Sequence, residues 1–208
     1  EFRRCPSTDL KRFGCALWHN REFVLEAVTW SGQNFANVSR IFNDDREMCM
    51  VALSTHGLAL ESASQRLKAD KEVVLKAVRQ NGNALRAASA DLRGDRDVVL
   101  AAVGATGRAL HHASAELRGD REIVLAATRQ NGAALEFASA ELRADREIAF
   151  EAVDLGAGPL RYVSAALQRD RQIVITALSG EQDIHSLEDV WHYVPRMVAK
   201  LWRNWKVV

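Results

Sequence analysis

Residues 120–145 read DREIVLAATRQNGAALEFASAELRAD, and their apolar positions fall into three groups separated by polar breaks. Ile123, Val124, Leu125 and Ala127 form the first group, Leu135 and Ala138 the second, and Leu142 the third. Asp120 stands directly before the first group, where its carboxylate can accept from the free amides of a first helical turn. Glu122 suits the positive end of the same helix. The first group therefore predicts a helix. Gly132, just beyond its last turn, is expected to take the left-handed C-cap conformation. The second group predicts a shorter helix, with Ser139 ending it or capping a brief third turn that buries Leu142. Nothing alternates with period two, so strands are not expected.

The pattern recurs every 25 residues without insertion, from openers Asn20, Asp45, Asp70, Asp95, Asp120, Asp145 and Asp170. An alanine returns at Ala27, Ala52, Ala77, Ala102, Ala127, Ala152 and Ala177, where a small side chain lets neighbouring helices approach closely. Glycine returns at Gly32, Gly57, Gly82 and Gly107. The sixth copy departs, reading Gly156-Ala157-Gly158-Pro159, and Pro159 suits a first helical position. The first helix is apolar around most of its girth and is expected to lie inside the stack. A period of this length marks a stacked array. One unit cannot bury its own apolar faces, but a neighbour on each side can. The predicted fold is all-α: an α-solenoid of about seven stacked 25-residue helix-turn-helix repeats with degenerate terminal caps. Residues 1–19 read as an N-terminal half-repeat cap, with Leu10, Phe13 and Leu17 in the apolar places. Residues 20–180 hold six complete repeats and the first helix of a seventh, and 181–208 a degenerate end with a basic, Trp-rich cap helix.

The stretch DREIVLAATRQNGAALEFASAELRADREI resembles the repeat family described as domain of unknown function 4116. The likeness lies in the acidic-Arg-Glu opener, the VVLAAV-type helix, the QNG turn and the ALEYAS-EL-type second half, over roughly residues 20 to 180. The resemblance implies a repeat class found mostly in unicellular algae, protists and some intracellular bacteria. It implies no activity, and so carries over no catalytic or cofactor-binding residue.

Composition adds limits. Lys plus Arg (28) nearly balance Asp plus Glu (27), a net charge of +1, so no global field favours nucleic acid. No transmembrane-length run or signal-peptide pattern stands out. The chain opens on Glu1 rather than Met, which leaves room for a removed leader carrying an organelle address. Three cysteines, Cys5, Cys15 and Cys49, without a CxxC pair argue against a disulfide framework and a structural zinc. A reducing compartment is expected, cytoplasmic or organellar (plastid or mitochondrial). Cys49 occupies the place of Val74, Val99 and Val124 and reads as a small buried hydrophobe. His111 and His112, with Glu116 nearby, lack a third ligand and read as surface decoration of one repeat. The GATG of residues 104–107 has neither the preceding strand nor the lysine of a phosphate loop. No catalytic residue, metal or cofactor is expected, and the chain reads as non-enzymatic.

Candidate contacts lie where the copies differ. Ala36, Glu61, Arg86, His111, Glu136 and Arg161 alternate in charge and suit a ladder of ion pairs between repeats. The next place reads Asn37, Ser62, Ala87, His112, Phe137 and Tyr162. Phe137 and Tyr162, with Arg129 and Arg161, form a candidate partner-binding ridge or simply fold over the neighbouring repeat. Trp191–Val208 holds no acidic residue and three of the five tryptophans. It reads as a cap, with Trp202 and Trp205 on its apolar stripe, and as a docking helix for an anionic partner or membrane surface through Lys200, Arg203 and Lys206. The leading expectation is a repeat scaffold serving a larger multisubunit assembly, with an organellar membrane complex (photosystem or respiratory) in view. A host-interacting effector of an intracellular bacterium is the alternative. A nucleic-acid-binding solenoid ranks third, because acidic residues interrupt every basic stripe.

Overall fold

The structure is a computed structural model that describes residues 19–38, 40–156 and 158–179. The expected terminal caps, 1–19 and 181–208, therefore lie almost wholly outside the described residues. The described residues are helical throughout, without strands, and each repeat stacks on the next within two compact units, Glu1–Ser114 and Ala115–Val208. This is the α-solenoid arrangement that the 25-residue period predicts.

Each opener caps a long helix. In the first unit these are Arg21–Trp30, Arg46–Thr55, Lys71–Gln80 and Arg96–Ala105. In the second they are Arg121–Gln130, Arg146–Asp154 and Arg171–Ser179. The Asp70 carboxylate accepts from the amides of Glu72 (3.0 Å) and Val73 (3.2 Å), and Asp95, Asp120, Asp145 and Asp170 repeat the arrangement. At ten residues or fewer such helices are marginal in isolation. Packing sustains them: Val73, Val74, Ala77 and Val78 are fully buried in the third repeat, as are Val98, Val99, Ala102 and Val103 in the fourth. Cys49 occupies the same stripe, as its sequence register predicts, and burial pushes its thiol up to about 12.

The long helices do not lie wholly inside the stack. Their buried stripe is bounded by exposed openers and last turns, and Leu75 and Leu100 are only half-buried. With one long helix per repeat, each side of a helix meets a neighbouring repeat, and one side still faces solvent.

The second element is also not an α-helix. Six-residue 3₁₀ segments, Gly32–Asn37, Gly57–Ser62, Gly82–Ala87, Gly107–His112 and Gly132–Phe137, fill that place, followed by Gly158–Tyr162 in the sixth repeat. Extended residues bracket them, such as His56 (φ −145°) before Gly57 and Ala63 (φ −70°, ψ 160°) after Ser62. In so short a span, i→i−3 bonding leaves fewer unpaired backbone groups than an α-helix would. Ala59 N donates to His56 O at 3.0 Å and Ala63 N to Leu60 O at 3.1 Å. Leu60, Leu85, Leu110 and Leu135 are fully buried from these segments. In the sixth repeat, Pro159 takes the second rather than the first place of its segment, and is buried.

The recurring glycines have no left-handed backbone. Among the described residues only Gly156 has positive φ, at 124°. The glycines are required instead by close approach. A Cβ on Gly57 would lie 2.6 Å from the carbonyl oxygen of Ala77, and one on Gly32, Gly82 or Gly132 would strike the oxygen of Ala52, Ala102 or Ala152. The next repeat's long helix thus presses its penultimate-turn carbonyl onto each glycine. Adjacent bonds fix the approach: Gly57 N donates to Gln80 Oε1 (2.6 Å), and Gln80 Nε2 donates to Thr55 O (3.3 Å). Gly32 N likewise donates to Thr55 Oγ1 at 2.9 Å.

Serine joins the repeats a second time. Ser89 N donates to Lys68 O of the preceding repeat (2.9 Å), while Ser89 Oγ accepts from Leu92 N (3.4 Å) and caps the third turn. Ser64, Ser139 and Ser164 do the same. The third turn buries Leu67, Leu92 and Leu117 as expected, but leaves Leu142 and Leu167 half-buried.

Two glycines in the first unit should respond oppositely to alanine. Gly82→Ala should destabilise by about 1–3 kcal/mol, since a backbone carbonyl must move to admit the methyl. Gly104→Ala, within Arg96–Ala105 with nothing within 4 Å of the new Cβ, should stabilise by roughly 0.5–1 kcal/mol. Chemical denaturation of both variants would check this, and a similar response at both sites would contradict the close-approach reading.

Candidate functional site

Most recurring polar residues are occupied in joining repeats. At Arg21, Arg46, Lys71, Arg121 and Arg146 the basic residue after the opener reaches forward to the next repeat's opener, and at the first four also to the acid two places beyond. Arg21 pairs with Asp45 (2.9 Å) and Glu47 (2.7 Å), and Arg46 with Asp70 (3.1 Å) and Glu72. Lys71 pairs with Asp95 (2.8 Å) and Asp97 (2.9 Å). In the second unit Arg121 pairs with Asp145 (3.4 Å) and Glu147, and Arg146 with Asp170 (3.3 Å). The sequence reading placed its ladder elsewhere and missed this one, although Arg or Lys recurs after every opener. Asp45, Asp70, Asp95, Asp145 and Asp170 thus accept both from their own helix amides and from the preceding repeat's cation. Lys71, opposed by burial and aided by the Val98 amide, holds the Asp95 carboxyl below its usual range. Burial alone would raise Asp70, but Arg46 and the Val73 and Glu72 amides outweigh it and lower it.

The anticipated ladder along the 3₁₀ segments does form at Glu61 and Arg86, whose Oε1 and Nη2 lie 2.6 Å apart. His111 and His112 lie edge to face, with ring centroids 5.0 Å apart. His112 is half-buried. Burial, then the neighbouring His111, Arg86 and Arg93, hold its imidazole below the ordinary range. No group of three or more His, Cys, Asp or Glu positioned for a metal occurs among the described residues. Nor is any helix among them long and apolar enough to cross a membrane.

The candidate ridge residues separate. Phe137 and Tyr162 are half-buried on successive 3₁₀ segments. The exposed Arg161 guanidinium lies 5.1 Å over the Tyr162 ring, and its Nε donates to Gly158 O. Arg129 stands on a long helix instead, paired with Glu151 of the next repeat at 2.9 Å. Lys200, Trp202, Arg203, Trp205 and Lys206 lie outside the described residues. On the third turn, Lys68 Nζ donates to Glu61 O (2.8 Å) and Gln168 Nε2 to Arg161 O (3.3 Å), capping the preceding 3₁₀ segment. At the same place Arg93, Arg118 and Arg143 bury their Nε without a hydrogen-bond partner.

The surface that sequence reasoning passed over is the solvent side of the long helices. At one fixed register stand Leu25, Met50, Leu75 and Leu100 in the first unit, and Leu125, Phe150 and Ile175 in the second. The first six are half-buried and Ile175 is 41% exposed. In the first unit this column runs beside an open groove of roughly 380 Å³ lined by Arg46, Glu47, Met50, Val51, Ser54 and Lys76. The signal was available: a large apolar residue at this register in every copy, although the helix needs only the stripe beside it for its core.

Residues 45–93 and 95–143 match, in tandem, the family described as Domain of unknown function (DUF4116). No curated protein and no solved structure matched the chain.

Two pH windows follow from these groups. Asp70, Asp95, Asp145 and Asp170 have folded-state pKa values lowered from the unfolded value. Their contribution to stability is therefore complete above about pH 4 and is lost as pH falls through the lowered values. Asp95→Asn should flatten that acid limb in denaturation series taken across it. His112 is lowered too, so its neutral form favours folding above about pH 6.5, and this contribution is lost as pH falls through the folded value. His112→Gln should remove the stability slope just below pH 6.5 and leave the acid limb unchanged. An unaltered slope would assign it to another group.

Proposed function

The chain carries tandem repeats of the DUF4116 family, and we propose that this array is a non-enzymatic interaction module, a structural or accessory subunit of a larger protein assembly. One observation carries the reading: an apolar residue recurs at the solvent side of every described long helix, where the fold itself leaves it half-covered. Apolar columns on a rigid repeat surface suit extended partners, because each repeat adds one similar anchor at a fixed spacing. The polar side chains that recur most regularly support it as well. The opener carboxylates, the following cations and the serines are spent on caps and joints between repeats. An organellar membrane complex is the first assembly to test, on the algal and protist resemblance and on the absence of acidic residues from Trp191–Val208.

The test is recovery of the chain at native abundance with quantitative mass spectrometry, beside a Leu75→Ser, Leu100→Ser double variant whose helicity is checked by circular dichroism. The expected result is a stoichiometric partner protein with the parent that is lost with the folded variant. Recovery of the parent alone would overturn the reading, as would a partner retained equally by both.

A further inference from the structure

In the second unit, Arg129 on one long helix pairs with Glu151 on the next, across the flank of the apolar column. The corresponding places between the third and fourth repeats are Arg79 and Ala101, and between the second and third, Ser54 and Lys76. At the first of these joints the cation is kept and its acid replaced by alanine; at the second, serine takes the cation's place and Lys76 stands where the acid would be. Among the described residues neither Lys76 nor Arg79 has a carboxylate partner. The other charges beside the groove are already matched: Arg46 by Asp70 and Glu72, and Glu47 by Arg21. Unmatched positive charge therefore lies along one edge of the column formed by Met50, Leu75 and Leu100, with Val51 in the groove beside it.

Resting on the interaction-module reading, we propose that this groove of the first unit docks an acidic amphipathic helix of a partner protein. Its apolar side chains would enter beside Met50, Val51 and Leu75, and its carboxylates would reach Lys76 and Arg79. The geometry supports a helix laid along the column. Packed helices stand about 8–10 Å apart, and seven residues of a straight helix rise roughly 10 Å. Apolar anchors at seven-residue intervals would therefore meet successive repeats, in the helix-in-groove manner. An anionic membrane fits less well. The first turns of the long helices carry the carboxylates of Glu47, Glu72 and Asp97, more than 60% exposed, and a flat headgroup surface would meet them together with the cations.

The test uses the full chain and two labelled helical peptides with leucines at seven-residue intervals. One has glutamates flanking the leucines and the other lysines, and binding is read by fluorescence anisotropy. The acidic peptide should bind at least about tenfold tighter, a preference that weakens with salt. Lys76→Glu with Arg79→Glu should reverse it, and Lys76→Gln with Arg79→Gln should abolish it while leaving the circular dichroism spectrum unchanged. Equal binding of both peptides, no binding of either, or an unchanged preference in the folded variants would overturn the proposal. So would sedimentation with phosphatidylserine vesicles that depends on Lys76 and Arg79 when peptide binding does not. Repeating native-abundance recovery with the charge variants separates the two readings. A partner lost with Leu75→Ser, Leu100→Ser but retained without the cations would leave the interaction module standing and remove the acidic helix. Recovery of the parent alone would remove both.

Discussion

The approach of a long-helix carbonyl to the glycine of the preceding repeat is the contact on which the joints between repeats depend. At Gly32, Gly57, Gly82 and Gly132 no side chain fits between that carbon and the alanine carbonyl pressed upon it. The distance between consecutive long helices is thereby set by backbone against backbone, with alanine at the same level to keep the helices close. Other joints depend on this spacing. Gln80 can bridge Gly57 and Thr55 only because the two repeats come this near. The bond from Ser89 N to Lys68 O closes the far edge of the same joint.

Short elements explain why so many small contacts are needed. A helix of ten residues and a 3₁₀ segment of six have little stability alone, and each has many unpaired terminal groups. Side-chain caps satisfy the first helical turn, i→i−3 bonds satisfy the second segment, and serine caps the third turn. The ion pairs that follow the openers are mostly exposed and contribute little singly, about 0–1 kcal/mol each. Their consistent geometry has another effect: each cation can meet the next opener only when the repeats are in register, so the pairs disfavour slipped stacking.

Function, on the reading proposed here, occupies what this joining leaves over. Residues that recur in nearly every copy are those the joints require, whereas the groove edge keeps Arg79 in the place of Arg129 and carries Lys76 in the place of Glu151. A repeat array can vary such positions without disturbing its core, because they lie on the solvent side of the long helices, outside the buried stripe. The half-buried aromatics Phe137 and Tyr162 belong to the same class of position on a different face.

The sequence by itself determined the period, the helix starts and the core. Asp before an apolar run acts locally through its carboxylate, and Val73, Val74, Ala77 and Leu85 are buried as their spacing predicts. Serine as cap of the third turn was also legible, for the same local reason. Tertiary structure decided what neighbouring repeats impose on one another. Gly57 looked like a left-handed cap because a glycine after a helix usually is one, yet its backbone stays at negative φ and its missing side chain makes room for Ala77. The second element was legible as a short helix from its leucine and the alanine three places on, a spacing that α and 3₁₀ turns both allow, so the pattern alone leaves the helix type open. The partners of Arg46 and Lys71 lie 24 and 26 residues ahead, and only the stacking of one repeat on the next brings those charges within reach. The half-covered face of the long helix was hidden for the same reason: periodicity shows which residues are apolar, but a neighbour's position decides which of them are covered.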